Sequence, residues 1–269
     1  MSKPIYFFSD AHLGAPLLND DKEREQKIID FLHAAASENA AIYMVGDLFE
    51  FWFEYRRVIP KNNFALLAHL YQLTSSGTEI HYLTGNHDMW PGPFLQQELG
   101  VHTHTSETRA QLGEFDILVT HGDGTAASDK GYRMLKKVFQ SRINIALYRL
   151  LHPDFGIPFA KRMSQVSRDK SFTADPLAQE YRDFAFQRFH EGHNVVIMGH
   201  THEARHEIYG ANHYINLGDW ISHYSYCEVN DEGISLRRWP SKEIYAEPVY
   251  FDTLKQNGTP ASTQNMVKK

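Results

Sequence analysis

The chain has 269 residues, of which 42% are hydrophobic and 22% charged, and a formal net charge of −6. It is long enough to bury a sizeable core and too apolar for a disordered or collagen-like chain. No run approaches the roughly 18 apolar residues of a membrane span, and one cysteine, Cys227, excludes a disulfide framework or a thiolate zinc cluster. Ile5–Phe8 reads as a buried strand ending in Ser9-Asp10. A helix is predicted over Asp21–Ser37, with Ile28, Ile29, Phe31 and Leu32 on one face. Ala41–Val45 is a second strand, Asn62–Ser75 a second helix stopped by Gly77, and Glu79–Leu83 a third strand. This β-α-β-α-β order predicts an α/β fold, a sheet with helices on its faces. Phe115–Val119 and Val195–Met198 read as further strands, and residues 128–192 as mostly helix. Turn signals at Gly210-Ala211-Asn212 and Asn230–Gly233 predict antiparallel hairpins between Ala204 and Arg238. The expected organisation is one domain over 1–252, with a helical insertion at about 128–170 and a polar, mobile tail over 253–269.

Five predicted strands end in a turn that carries Asp, Asn or His. In chain order these are Ser-Asp10-Ala-His12, Gly-Asp47, Gly-Asn86-His87-Asp88, His121-Gly-Asp-Gly and Gly-His200-Thr-His202. Open α/β sheets bind ligands beyond the carboxyl ends of their strands, so these side chains are predicted to collect on one rim. Imidazole nitrogen with carboxylate and amide oxygen suits Mn, Fe, Zn, Co or Ni. A lone strand-end histidine is usually structural; five such blocks in succession are poorly explained by chance.

Together the blocks resemble the signature of the calcineurin-like metallophosphoesterase superfamily, from Ile5 to about Trp220. The resemblance implies a four-layer α/β/β/α sandwich with a dinuclear metal centre. Asp10, His12, Asp47 and His202 would hold one metal, and Asp47 would bridge to a second held by Asn86, His121 and His200. His87 would sit beside the phosphate, held by Asp88, as acid or anion contact. Such a centre clamps an in-line displacement at phosphorus and makes hydroxide available at neutral pH.

The blocks' surroundings narrow the resemblance. Gly46–Trp52, Gly85–Gly92 and His121–Tyr132, together with a basic helical insertion after His121, resemble the UDP-2,3-diacylglucosamine diphosphatases of lipid A synthesis. That family implies cleavage of an acylated UDP-sugar to UMP and 2,3-diacylglucosamine 1-phosphate, two divalent ions, usually Mn2+, and work at the cytoplasmic face of the inner membrane. Asn86, His87, Asp129, Lys130, Ser167 and Lys170 fall at its substrate positions. His87 departs from the better-known branch, which has arginine there. Another phosphodiester or nucleotide substrate of the same superfamily is the alternative, and a metal-free scaffold the third reading.

Residues 130–170 carry ten Lys/Arg against Asp154 and Asp169, a net +8, which leaves −14 for the rest. Those cations are interleaved with Met134, Leu135, Phe139, Ile143, Leu147 and Phe159 among others. A cationic amphipathic unit of this kind can lie on an anionic bilayer or enclose acyl chains; packing onto the body is the plainer explanation. The surrounding negative charge argues against a nucleic-acid partner, and the oligomeric state stays open. No charged leader with an apolar run is visible, so a cytoplasmic, peripherally membrane-associated protein is expected. Glu50 reads equally as a ligand orienter or a turn cap, and Asp123 as a partner of His121. Trp52 and Trp90 read as core or as an apolar entrance. Tyr214–Trp220 reads as scaffold. His102, His104, His190, His193, His206, His213 and His223 read as surface or core histidines.

Overall fold

The computed structural model describes residues 2–251 except 16, 17, 19 and 172–176, with side chains also left out over 163–171. In chain order the elements begin β1 (Ile5–Phe8), α1 (Asp21–Ser37), β2 (Ala41–Val45), α2 (Phe64–Ser75), β3 (Ile80–Leu83), α3 (Phe94–Gln97), β4 (His102–His104), β5 (Thr108–Leu112) and β6 (Phe115–Val119). Then come α4 (Lys130–Phe139), α5 (Arg142–Tyr148), α6 (Pro153–Ser171) and α7 (Ala178–His190). The chain continues through β7 (Val195–Met198), β8 (Ala204–Tyr209), β9 (Asn212–Leu217), β10 (Ser225–Asn230), β11 (Gly233–Arg238), β12 (Ile244–Ala246) and β13 (Val249–Phe251). The tail expected over 253–269 lies outside the described residues.

The strands form two sheets. One runs β12-β11-β10-β1-β2-β3-β4, the other β13-β8-β9-β7-β6-β5. β1, β2, β3 and β4 are parallel, as are β6, β7 and β9. β8 and β9 form one hairpin, β10 and β11 another, as the turn signals predict. The two hairpins belong to different sheets, because the chain crosses between them after Leu217. β4 and β5 escape the sequence reading: three-residue β4 is too short for a periodicity, and β5 alternates in a half-exposed position.

The alternation of side chains along a strand explains the layers. In β1, Tyr6 and Phe8 face α1 and α2, where they meet Ile28, Phe31, Leu32, Leu66 and Leu70. Ile5 and Phe7 face the other sheet and pack with Ile117, Val119, Val195 and Ile197. The far face of that second sheet, with Val196, Met198 and Tyr214, is covered by Tyr181, Ala185 and Phe186 of α7. Packing therefore runs helices, sheet, sheet, helix. Both central strands are buried on both faces, which is why they read as continuous apolar runs.

The insertion follows a different rule. α4 and α5 bury no residue. Met134, Leu135, Val138, Phe139, Ile143, Leu147, Leu150, Leu151, Phe155 and Phe159 are all exposed. Packing of these apolar side chains onto the body is therefore not what the structure has. Among the described residues, no helix is long and apolar enough to cross a membrane.

Candidate metal centre

The five strand-end turns converge on one rim. Backbone bonds stitch them together: Asp10 N–H donates to Gly46 O (3.1 Å), His12 N–H to Asp47 O (2.9 Å), Gly199 N–H to His121 O (3.0 Å) and Trp220 N–H to Asp10 O (3.1 Å). Five of the seven expected ligands, Asp10, His12, Asp47, His200 and His202, have positive φ between 46° and 71°. Non-glycine residues rarely adopt that conformation, and strain of this kind collects at functional sites. Gly46, at φ +82°, is needed for close approach: a Cβ there would run into the His121 ring.

Three groups of side chains have ligand atoms within 4.8 Å of one another. They are Asp10–His12–His202, His12–Asp47–His87 and Asp47–His121–His200. Asp47 Oδ2 lies 3.3 Å from His121 Nε2, 3.7 Å from His12 Nε2 and 4.0 Å from His87 Nε2. Asp10 Oδ1 lies 3.5 Å from His202 Nε2 and 3.8 Å from His12 Nε2. The amide oxygen of Asn86 is 3.2 Å from His121 Nε2. Asp47 thus stands between a group built on His12 and a group built on His121 and His200.

The ring nitrogens facing away from the rim fix what faces inward. His121 Nδ1–H donates to Val45 O at 2.9 Å, and His12 Nδ1–H donates to Glu50 at 3.1 Å. His202 Nδ1 is 3.5 Å from Asp219. With the proton on Nδ1, each Nε2 turns a lone pair to the rim, as metal-ligating histidines do. His12 Nε2 and His202 Nε2 stand 3.3 Å apart, and Asp10 Oδ1 is buried without a hydrogen-bond donor. Converging lone pairs and an orphaned carboxylate oxygen fit a divalent cation with N/O ligands.

The rim carboxylates attract positive charge: against its burial, His121 is raised well above the usual histidine range by Asp47, and His202 is raised against its burial by Asp10. Burial alone would raise the Asp47 carboxyl, but His121, His87 and His12 outweigh it and hold it well below the usual range. Asp10 is lowered against its burial by His202 and His12. Burial, seconded by His121, lowers His200 to about 4, so its ring is neutral and free to bind. Burial lifts Asp88 to about 6, seconded by the charge of Asp47.

Asp88 departs from its expected role. Its oxygens accept backbone N–H bonds from Gly85 (2.7 Å), Asp47 (3.3 Å) and Phe49 (3.3 Å), tying two turns together. The carboxylate beside the His87 ring is that of Glu50, 3.5 Å from Nδ1. Glu50 is fully buried and serves both His12 and His87, which resolves its two readings in favour of an orienter. Asp123 is also corrected: it accepts from Tyr132 Oη–H and Lys136 Nζ, each at 2.6 Å, while a carbonyl serves His121. Asp129 stands at the N-cap position of α4 without a side-chain bond to the helix, and Lys130 is exposed on its first turn; neither belongs to the three ligand groups. The side chains of Ser167 and Lys170 lie outside the described residues. Trp52 is core, whereas Trp90 sits at the seam with the insertion, its Nε1–H donating to Phe139 O at 2.9 Å.

Asp219 is the site residue the sequence reading passed over as scaffold. Its Oδ1 accepts from the backbone of Ile221, Ser222 and His223, which leaves Oδ2 for His202 and, at 3.3 Å, His223. The signal was present: β9, like β2, is followed by Gly-Asp.

The family model described as calcineurin-like phosphoesterase matches residues 3–204, the span that holds all seven expected ligands. The chain belongs to that family. It is a metal-dependent phosphoesterase, and the rim built from Asp10 to His202 suggests divalent metal use. Curated relatives are similar along nearly their whole length. A UDP-2,3-diacylglucosamine hydrolase of Porphyromonas gingivalis is 32% identical over 248 residues, 84% of this chain and 94% of the relative. Proteins of the same name from Shewanella baltica and Neisseria meningitidis are 28% and 27% identical, covering 88% and 86% of this chain and 98% and 96% of their own.

Proposed function

We propose that this phosphoesterase hydrolyses the diphosphate of UDP-2,3-diacylglucosamine, releasing UMP and 2,3-diacylglucosamine 1-phosphate. The observation that carries the substrate is the insertion: ten large apolar side chains stand exposed beside a metal-binding rim. A small soluble phosphoester gives no reason for that surface, whereas two acyl chains do. A cleft of about 300 Å³ between body and insertion, lined by Phe53, Met89, Trp90, Ile145 and Arg149, offers part of the enclosure.

Asp10, His12, His202 and Asp47 would hold one divalent ion, and Asp47, Asn86, His121 and His200 a second, with manganese the ion the family implies. Bound there, the ions supply neutralisation of phosphate charge and an acidified water. The protein's own part is positional. Glu50 fixes the rings of His12 and His87 together. The His87 Nε2 edge points toward Asp47, where it can hold a proton for the departing lipid phosphate oxygen or steady its charge. Asp88 keeps the turns of Asp47 and Asn86 in register. We read residues 1–252 as one domain with 128–170 inserted, resting on the cytoplasmic face of a membrane through its exposed apolar side chains.

Turnover of UDP-2,3-diacylglucosamine with added manganese, beside deacylated UDP-glucosamine and a chromogenic phosphodiester, tests the reading. UMP release from the acylated substrate about 100-fold faster than from the deacylated one is expected, given the apolar area at stake. Activity on the small diester alone would retain the metal chemistry and defeat the substrate.

A further inference from the structure

The insertion needs something to hold it, because α4 and α5 bury no residue. Its middle is fixed at an aromatic seam: the Tyr148 ring lies 4.6 Å from Phe53, and Trp90 bonds Phe139 O. Its two flanking helices are tied by charge. From α4, the Lys136 ammonium meets Asp123 at 2.6 Å, and that carboxylate is only 4% exposed. From α6, the half-buried Lys161 ammonium donates to Gly14 O at 2.8 Å. Asp123 lies two residues beyond His121, and Gly14 two residues beyond His12.

The two anchors share a design. Gly14 is clamped on both sides, since its N–H donates to Asp21 at 2.9 Å while its carbonyl takes Lys161. Gly14 has φ +90°, and a Cβ there would meet Lys161 Nζ at 2.7 Å, so the ammonium seats directly on the peptide. Asp123 is likewise shared, taking the Tyr132 hydroxyl as well as Lys136. Charge-assisted bonds at part-buried positions are among the stronger polar contacts available.

We propose that Lys136 and Lys161 are positioning residues that latch the helical insertion onto the loops of His121 and His12, and so set where the apolar part of the substrate lies relative to the metal rim. The two loops meet the rim from different sheets, so both latches are needed to fix the insertion's tilt about its aromatic seam.

Hydrogen exchange on the metal-loaded full chain reads the latch directly. In the Lys136→Met/Lys161→Met double variant, exchange across residues 130–148 rises about tenfold. KM for UDP-2,3-diacylglucosamine rises about tenfold, while metal content and kcat on a chromogenic phosphodiester stay within twofold. Lys136→Arg in the otherwise unaltered chain keeps both protection and KM. Unchanged exchange in the double variant overturns the latch, and raised exchange with unchanged KM overturns the positioning role. Should the double variant melt early, the single variants carry the same readouts. The kinetic arm rests on the proposed substrate. Raised exchange in a chain that never turns over the acylated diphosphate would defeat that substrate and leave the latch standing.

Discussion

The metal rim and the helical insertion are built on opposite principles. The rim is largely buried, strained and over-determined: Asp10, His12, Asp47 and His121 are buried, Asp10 and His12 sit in left-handed backbone, and backbone and side-chain bonds tie the ligand-bearing turns to one another. The insertion is exposed, nearly coreless and held at a few points. Phosphorus chemistry requires atoms placed to fractions of an ångström, which only a packed core enforces. On the proposed substrate, the insertion would receive flexible apolar chains, and a surface of that kind gains from being loosely held.

The largest effect should come from removing the residue that stands between the two ligand groups. Asp47→Ala is expected to lower kcat/KM on the order of 10³-fold or more and to halve metal content or worse by elemental analysis. Full activity in that variant would break the account of the rim as an over-determined metal site.

A smaller loss is expected at Glu50, whose carboxylate faces His12 and His87. Glu50→Gln keeps the shape and removes the charge shared by His12 and His87. Metal affinity should fall about 10- to 100-fold, measured by titration with manganese. Unaltered affinity would reduce Glu50 to a turn cap.

The comparison sharpens further in the insertion. Phe139→Ser with Leu147→Ser should raise KM for the acylated substrate about tenfold and leave a small chromogenic diester untouched. Equal loss on both substrates would mean that these exposed residues hold the fold, and the contrast between the two regions would fail.

The smallest consequence for turnover concerns His206, remote from the ligand groups. Burial lowers it to about 4, with His213 Nδ1 3.0 Å from its Nε2 adding a second, lesser push. Its ordinary value is 6.5, so the unfolded chain takes up the proton first. The stability it contributes is full above about pH 6.5 and is lost as pH falls toward 4, on the order of 3 kcal/mol in all, of which about 2 kcal/mol is gone by about pH 5. Urea unfolding at pH 7 and pH 5 should show that slope, and His206→Phe should flatten it. A parallel pH dependence in the variant would assign the loss to other groups.

The strands and the ligand types were legible because both are local. Ile5–Phe8, Ala41–Val45 and Val195–Met198 coincide with observed strands, since a strand buried on both faces must be apolar throughout, and Phe115–Val119 coincides with one whose last three residues are buried. Each strand-end block is a short local pattern, and the succession of five brought out Asp10, His12, Asp47, Asn86, His121, His200 and His202 as a set. Partner choice was not local. Asp88 follows His87 directly yet turns to the backbone of Gly85, Asp47 and Phe49, while Glu50, distant in sequence, takes its place beside the ring. Lys161 reaches Gly14 across a still longer separation, and Asp219 reaches His202 from the end of another strand. The sequence by itself determined which side chains could ligate and which segments had to be buried. Only the tertiary structure decided which carboxylate faces which imidazole, which sheet each hairpin joins, and that the insertion's apolar side chains stay exposed. Those outcomes depend on how elements far apart in the chain approach one another, and no window of neighbouring residues contains that distance.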